Sequence, residues 1–172
     1  GDWLMHPQGD RSVPPGARMP AGGFFFDAIV RQPPLDEAHL NPADNCEEFG
    51  PLGEADLAYY RAHFDRLRSS PGTGAILMMP GTAFGDIALV PAPFLKHPRG
   101  IRDVEEWYVS TAIRREYVRS VFETQCEFAL GNIDILAEMF GDRIQAVMVT
   151  GTDFGTQTGA FVSVQDYRDL FK

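Results

Sequence analysis

The sequence predicts an α/β fold, a partial (β/α)8 TIM barrel, from three observations. Helical patterns alternate with short apolar runs, the order expected of a parallel sheet with crossover helices. Two of those runs, Ala75 to Met79 (AILMM) and Ile144 to Val149 (IQAVMV), are continuous enough to be strands buried on both faces. The chain has 172 residues, whereas a complete barrel takes about 250.

Residues 1–23 are rich in Pro and Gly and read as an irregular, extended lead-in. Phe24 to Val30 (FFFDAIV) reads as a short strand, closed by Gln32-Pro33-Pro34. Residues 33–53 form a polar, acidic connection. Glu54 to Ser69 reads as a helix, because Leu57, Tyr60, Phe64 and Leu67 recur at helical spacing on one face. Ser70-Pro71-Gly72 ends it. A short helix begins near Asp103, and a long one runs from about Ala112 to Phe140. The apolar stripe of that helix is Val118, Phe122, Cys126, Ala129, Leu130, Ile133, Leu136 and Phe140. Gly141 stands where a C-terminal glycine cap belongs. Ser163 with Asp166 is a capping-box start for a last helix. The whole is one incomplete barrel domain over 1–172, with 1–53 as lead-in and 54–172 as alternating units.

Composition narrows the function. The formal charge is -9, from 24 acidic and 15 basic residues, which argues against a nucleic-acid face and a polybasic membrane anchor. No apolar run approaches the ~20 residues of a membrane span. The 2 cysteines, Cys46 and Cys126, lie far apart and fit a reducing cytoplasmic setting. His6, His39, His63 and His97 have no ligand spacing, so no metal site is expected from this chain. His63 reads as structural or solvent-facing. The aromatic residues read as core. Arg11, Arg18 and Arg31 flank the aromatic lead-in; they could clamp carboxylates, though ordinary surface charge is favoured.

In parallel α/β folds, functional groups cluster at the C-terminal ends of strands. The loop Thr150 to Gly159 (TGTDFGTQTG) holds that position after the second apolar run. Asp153 could act there as a carboxylate base or ligand anchor; the alternative is a turn-capping aspartate. Thr152 and Thr156 add hydroxyls, Gln157 an amide and Phe154 an apolar wall. Gly151, Gly155 and Gly159 allow close backbone approach. The loop Pro80 to Asp86 (PGTAFGD) follows the first strand and brings Gly81 and Thr82 to the same mouth, though a plain turn is the favoured reading there.

The segments ILMMPGTAFGD, IRDVEEWYVSTAIRREYVRSVFETQ and VMVTGTDFGTQTGAFVSVQDYRDLFK resemble the uroporphyrinogen decarboxylase-like superfamily. The lead-in MPAGGFFFDAIVRQPP is similar to its branch of corrinoid-dependent methyltransferases. The resemblance implies a barrel with a pocket for a tetrapyrrole-like or corrinoid partner, or a corrinoid protein. It implies either methyl transfer between a corrinoid and a thiol, with zinc, or cofactor-free decarboxylation of uroporphyrinogen. A non-catalytic tetrapyrrole-binding barrel is a further alternative. Asp153 matches the aspartate of the family's strand-end motif. Its TDFGTQ context departs from the Phe-Asp-Ser-Trp arrangement of the decarboxylases and favours the methyltransferase-like branch. The start without Met and the stop within VQDYRDLFK predict a piece of a longer enzyme, inactive alone. The decarboxylase arginines would then precede Gly1, and a zinc-binding His-x-Cys would follow Lys172.

Overall fold

A computed structural model describes residues 1–172. The chain is mixed α/β, with two small sheets and four α-helices. Neither sheet closes into a barrel.

The lead-in is more ordered than its composition suggests. Strands β1 (Trp3–Met5), β2 (Ala17–Met19) and β3 (Asp27–Ala28) form an antiparallel sheet in the order β1-β2-β3. The pairing sets Leu4 against Arg18 and Arg18 against Asp27. The expected strand over Phe24 to Val30 shrinks to two residues. Phe24, Phe25 and Phe26 are exposed rather than core. Strands of two or three residues show no period, so pattern alone could not find them. The connection that follows carries a short 3-10 helix, Pro42–Cys46, capped by Asn41, whose side chain accepts the Ala43 N–H at 3.1 Å.

Helix α1 (Glu54–Arg68) lies where its spacing predicts it. Its N-terminal turn is closed by Asp56, which accepts the Gly53 N–H at 2.9 Å. Leu57, Tyr60 and Phe64 pack on a core of Leu52, Leu77, Met79, Ala129, Leu136 and Phe140. Strand β4 (Ile76–Met78) pairs in parallel with β5 (Ala146–Met148), with Leu77 opposite Val147. The strands are not buried on both faces, as their apolar runs suggested. Leu77 is buried, but Ile76 is 72% and Met78 70% exposed. Helices cover only the Leu77 face, so apolarity on the opposite face has no packing partner here.

Helices α2 (Val104–Ile113) and α3 (Arg115–Phe140) are separated by a break at Arg114, with φ −122° and ψ 46°. The expected long helix therefore starts three residues late. Asp103 caps α2 by accepting the Glu105 N–H at 2.9 Å. Arg114 pairs with Glu106 at 2.6 Å and with Glu37, holding the break against the lead-in. On α3, Cys126 and Leu130 are exposed, contrary to the expected stripe. Gln125 and Asn132 take the buried positions instead. Asn132 earns its place by hydrogen bonding: it accepts the Leu52 N–H at 2.9 Å and donates to the Gly50 carbonyl at 3.0 Å. The first half of α3 supplies Val118, Val121 and Phe122 to a second core with Val90, Ile101, Trp107 and Leu170.

Helix α4 (Val164–Leu170) begins with the predicted capping box. Ser163 Oγ accepts the Asp166 N–H at 3.0 Å. Arg115 pairs with Asp166, and with Asp169 at 3.0 Å, tying α4 to the start of α3. No helix is long and apolar enough to cross a membrane.

Candidate functional site

A cavity of about 420 Å³ opens at the C-terminal ends of β4 and β5. Met78 and Met79 end one strand into it, and Met148, Val149, Thr150 and Gly151 continue the other. The Pro80–Asp86 loop forms one side. The segment from Leu89 to Leu95, with Glu48 and Phe49, forms the other.

The Pro80–Asp86 loop is shaped by Gly81. Its φ of +91° belongs to the left-handed region, and a Cβ there would sit 3.3 Å from the Ala129 amide nitrogen. The loop therefore runs directly over the backbone of α3. Thr82 Oγ1 donates to the Met79 carbonyl at 3.1 Å, closing the turn. Thr150 and Thr152 stitch the two strand-end loops together. Thr150 Oγ1 donates to the Ala83 carbonyl at 2.9 Å, and Thr152 Oγ1 lies 3.0 Å from the Phe84 carbonyl. Gly151 leaves room for Asp86, whose Oδ2 would stand 3.1 Å from a Cβ at that position.

The opposite wall is pinned from the lead-in. Arg31 donates to the Ala92 carbonyl at 2.7 Å and, more weakly, to the Lys96 carbonyl at 3.4 Å. Burial and the nearby Arg102 charge lower the Arg31 pKa. Lys96 also pairs with Asp10 at 2.8 Å. That ammonium, with the Ser12 hydroxyl, holds the Asp10 carboxyl far below the usual carboxylate range. Gly16 packs against the Pro93 carbonyl so closely that any Cβ would collide with it. Of the three lead-in arginines, Arg18 clamps the Asp2 carboxylate at 2.5 Å, and Arg31 serves backbone carbonyls instead.

Behind the cavity lies a buried ionic cluster. The Arg102 side chain is 1% exposed. It donates to both Glu48 oxygens at 2.7 and 3.1 Å, and to the carbonyls of Arg99 and Asp44 at 2.6 and 2.7 Å. Arg99 reaches Glu47 at 2.7 Å. Burial raises the Glu47 pKa, but hydrogen bonds and charge from Arg99 outweigh it and leave the value lowered. Asn45 bridges the main chain at Ile101, donating to its carbonyl and accepting its N–H, both at 2.7 Å.

The sequence-predicted residues divide between the cavity and its surroundings. Gly81 and Thr82 line it. Thr152 lies just outside, spent on loop hydrogen bonds. Asp153 is exposed and does not line the cavity; its backbone carbonyl accepts the Tyr108 hydroxyl at 3.2 Å. Burial, then the charges of Asp153 and Asp86, raise the Tyr108 pKa. Phe154 packs edge-on against Tyr167 and Phe171, each with ring centroids 5.0 Å away. Thr156 shapes a tight turn, its N–H donating to the Gly159 carbonyl at 2.8 Å. Gln157 is exposed beyond that turn. His63 is exposed, with Nδ1 2.9 Å from the Tyr59 carbonyl.

Sequence reasoning missed Glu48, Phe49, Leu89, Phe94 and Leu95 as cavity walls. They sit in irregular segments without period or motif. The proline cluster at Pro91 and Pro93 was the one available sign that the second segment holds a fixed shape. No group of three or more His, Cys, Asp or Glu side chains is placed to hold a metal ion. Comparison with known protein families, curated proteins and solved structures finds no match to the chain.

Proposed function

We propose that the chain is part of a (β/α)8-barrel enzyme of the uroporphyrinogen decarboxylase-like superfamily. Within it, the methyltransferase-like branch fits best, moving a methyl group between a corrinoid and a thiol. One observation carries this reading. Two parallel strands bear helices on one face, leave the other face bare, and end in a cavity of about 420 Å³. That is the end of the strands at which parallel barrels place their substrates.

The TDFGTQ context of Asp153, unlike the Phe-Asp-Ser-Trp arrangement of the decarboxylases, supports methyl transfer over decarboxylation. The cavity wall carries two carboxylates, Glu48 and Asp86. Asp153 remains the proposed carboxylate at the outer part of the strand-end loop, where a large ligand would meet it. The residues of this chain do not fit zinc, so no step is assigned to zinc here.

The test is incubation of the full-length parent protein with methylcobalamin and a thiol, followed by the corrinoid absorbance spectrum. Demethylation above the protein-free rate is expected. Absence of demethylation refutes the reading. Conversion of uroporphyrinogen instead would select the decarboxylase. Corrinoid binding without turnover would select a non-catalytic barrel.

A further inference from the structure

We propose that the strand-end cavity takes a ligand with an apolar body and an ammonium head, the head seated between Asp86 and Gln125. This rests on reading that cavity as the substrate pocket, and it names the chemical class of ligand.

Most of the wall is apolar, including Phe49, Met79, Leu89, Phe94 and Met148. Its two charges differ in standing. Glu48 is neutralised by the buried Arg102 at 2.7 and 3.1 Å. Asp86 takes part in none of the ion pairs of the chain. Its Oδ1 accepts the Ala88 N–H at 3.0 Å. An unmatched carboxylate in an apolar wall repels anions and attracts cations.

A second observation points the same way. A recess of about 20 Å³ adjoins the cavity and shares Glu48, Phe49, Ala83, Asp86 and Leu89 with it. Gln125, on α3, lines that recess. Its side chain belongs to a residue 3% exposed, and its Oε1 accepts no hydrogen bond. A buried carbonyl oxygen without a donor is costly. The recess has room for one group of water size. Arg102 also lines the recess, but its guanidinium is committed to Glu48 and to the Arg99 and Asp44 carbonyls; the Asp86 carboxylate has no cation and the Gln125 amide oxygen no donor, so the group that fits must donate. An ammonium supplies several N–H donors in that volume and the missing positive charge.

The test titrates the full chain at pH 7 with phenethylammonium, phenethyl alcohol and phenylacetate, read by Trp107 fluorescence and calorimetry. The ammonium compound is expected to bind about tenfold tighter than the alcohol, with the carboxylate weakest. Asp86→Asn should cost the ammonium compound about tenfold and change the alcohol by less than about twofold. Gln125→Leu should weaken the ammonium compound several-fold while circular dichroism stays that of the parent. Equal affinity for the three probes, no response to Asp86→Asn, or no binding of any probe would overturn the proposal. Ammonium selectivity without corrinoid demethylation would refute the methyltransferase reading and leave this ligand class standing. Demethylation without ammonium selectivity would do the reverse.

Discussion

Arg102→Met removes the cation at the centre of the ionic cluster behind the cavity. The side chain of Arg102 is 1% exposed, and its guanidinium serves Glu48 twice and two main-chain carbonyls. Methionine has a similar length but no donor. Glu48 would keep its charge in a wall that then holds no cation, and the Arg99 and Asp44 carbonyls would lose their partners. Breaking a buried pair from one side costs about 3–5 kcal/mol. Glu48 is 24% exposed, so water can reach it, and the lower end, about 3 kcal/mol, applies. With a urea slope of about 2 kcal/mol/M, the midpoint falls by about 1.5 M. Equilibrium urea unfolding followed by fluorescence measures it, because Trp107 is buried in the adjoining core while Trp3 is already 68% exposed in the folded chain. Arg102→Lys keeps the charge but loses the planar fork, and should cost about half as much. Adding Glu48→Gln to Arg102→Met should recover about 1 kcal/mol or more, since the stranded charge is then gone. A midpoint within about 0.3 M of the parent for Arg102→Met would refute the view that this guanidinium organises the wall.

Four further outcomes are expected. Cys46 is buried, and burial followed by the Glu48 charge pushes its thiol up to about 11, so at pH 8 iodoacetamide should modify Cys126 alone in the folded chain and both thiols in denaturant; equal rates would contradict the packing. Burial, with Asp44 nearby, likewise pushes Tyr117 up to about 12; both groups hold their protons in the folded chain after the unfolded chain has lost them. The stability they contribute is therefore complete below the ordinary thiol range and lost as pH rises through about 11 and 12. A flat melting temperature across that alkaline range would disprove the assignment. Gly81→Ala combines a left-handed φ with close backbone approach at Ala129, and should cost about 1–2 kcal/mol, or a melting shift of about 3–6 °C; an unchanged melting temperature would show that the loop rearranges freely. Asp153→Ala removes an exposed carboxylate that makes no hydrogen bond, so stability should move by less than about 0.5 kcal/mol, while the proposed methyl transfer should fall sharply. Full activity would reduce Asp153 to a loop residue.

What the sequence revealed depended on length and period. Helix α1, with Leu57, Tyr60 and Phe64 on one face, was legible because helical spacing repeats over several turns. The capping box at Ser163 was legible because it is local chemistry. The two parallel strands were legible as apolar runs, but their one-sided burial was not: apolarity records what a surface prefers, not what covers it. The α3 stripe went wrong at Cys126 and Leu130 for a related reason. Gln125 and Asn132 look polar, yet Asn132 has a backbone loop to bind in the interior. The strand-end position of the candidate site was legible, and Gly81 and Thr82 do line it. The rest of the cavity was not, because Glu48, Leu89 and Phe94 reach it through irregular chain fixed by Arg31, Arg102 and Gly16. Those are contacts between residues tens of positions apart.

Helix α3 carries both cores, one on each half. Val118, Val121 and Phe122 belong to the first, and Ala129, Leu136 and Phe140 to the second. Native-state amide exchange should therefore be slowest along this helix, since opening it exposes both cores together. Its residues also bear on folding order. Contacts within α3 close short chain loops, whereas β4 meets β5 only across some seventy residues. The helix is thus the natural first structure, and the parallel strand pair, with the cavity at its end, is assembled last upon it. The site would then be the first part of the molecule to come apart under stress, and the first to respond when something fills it.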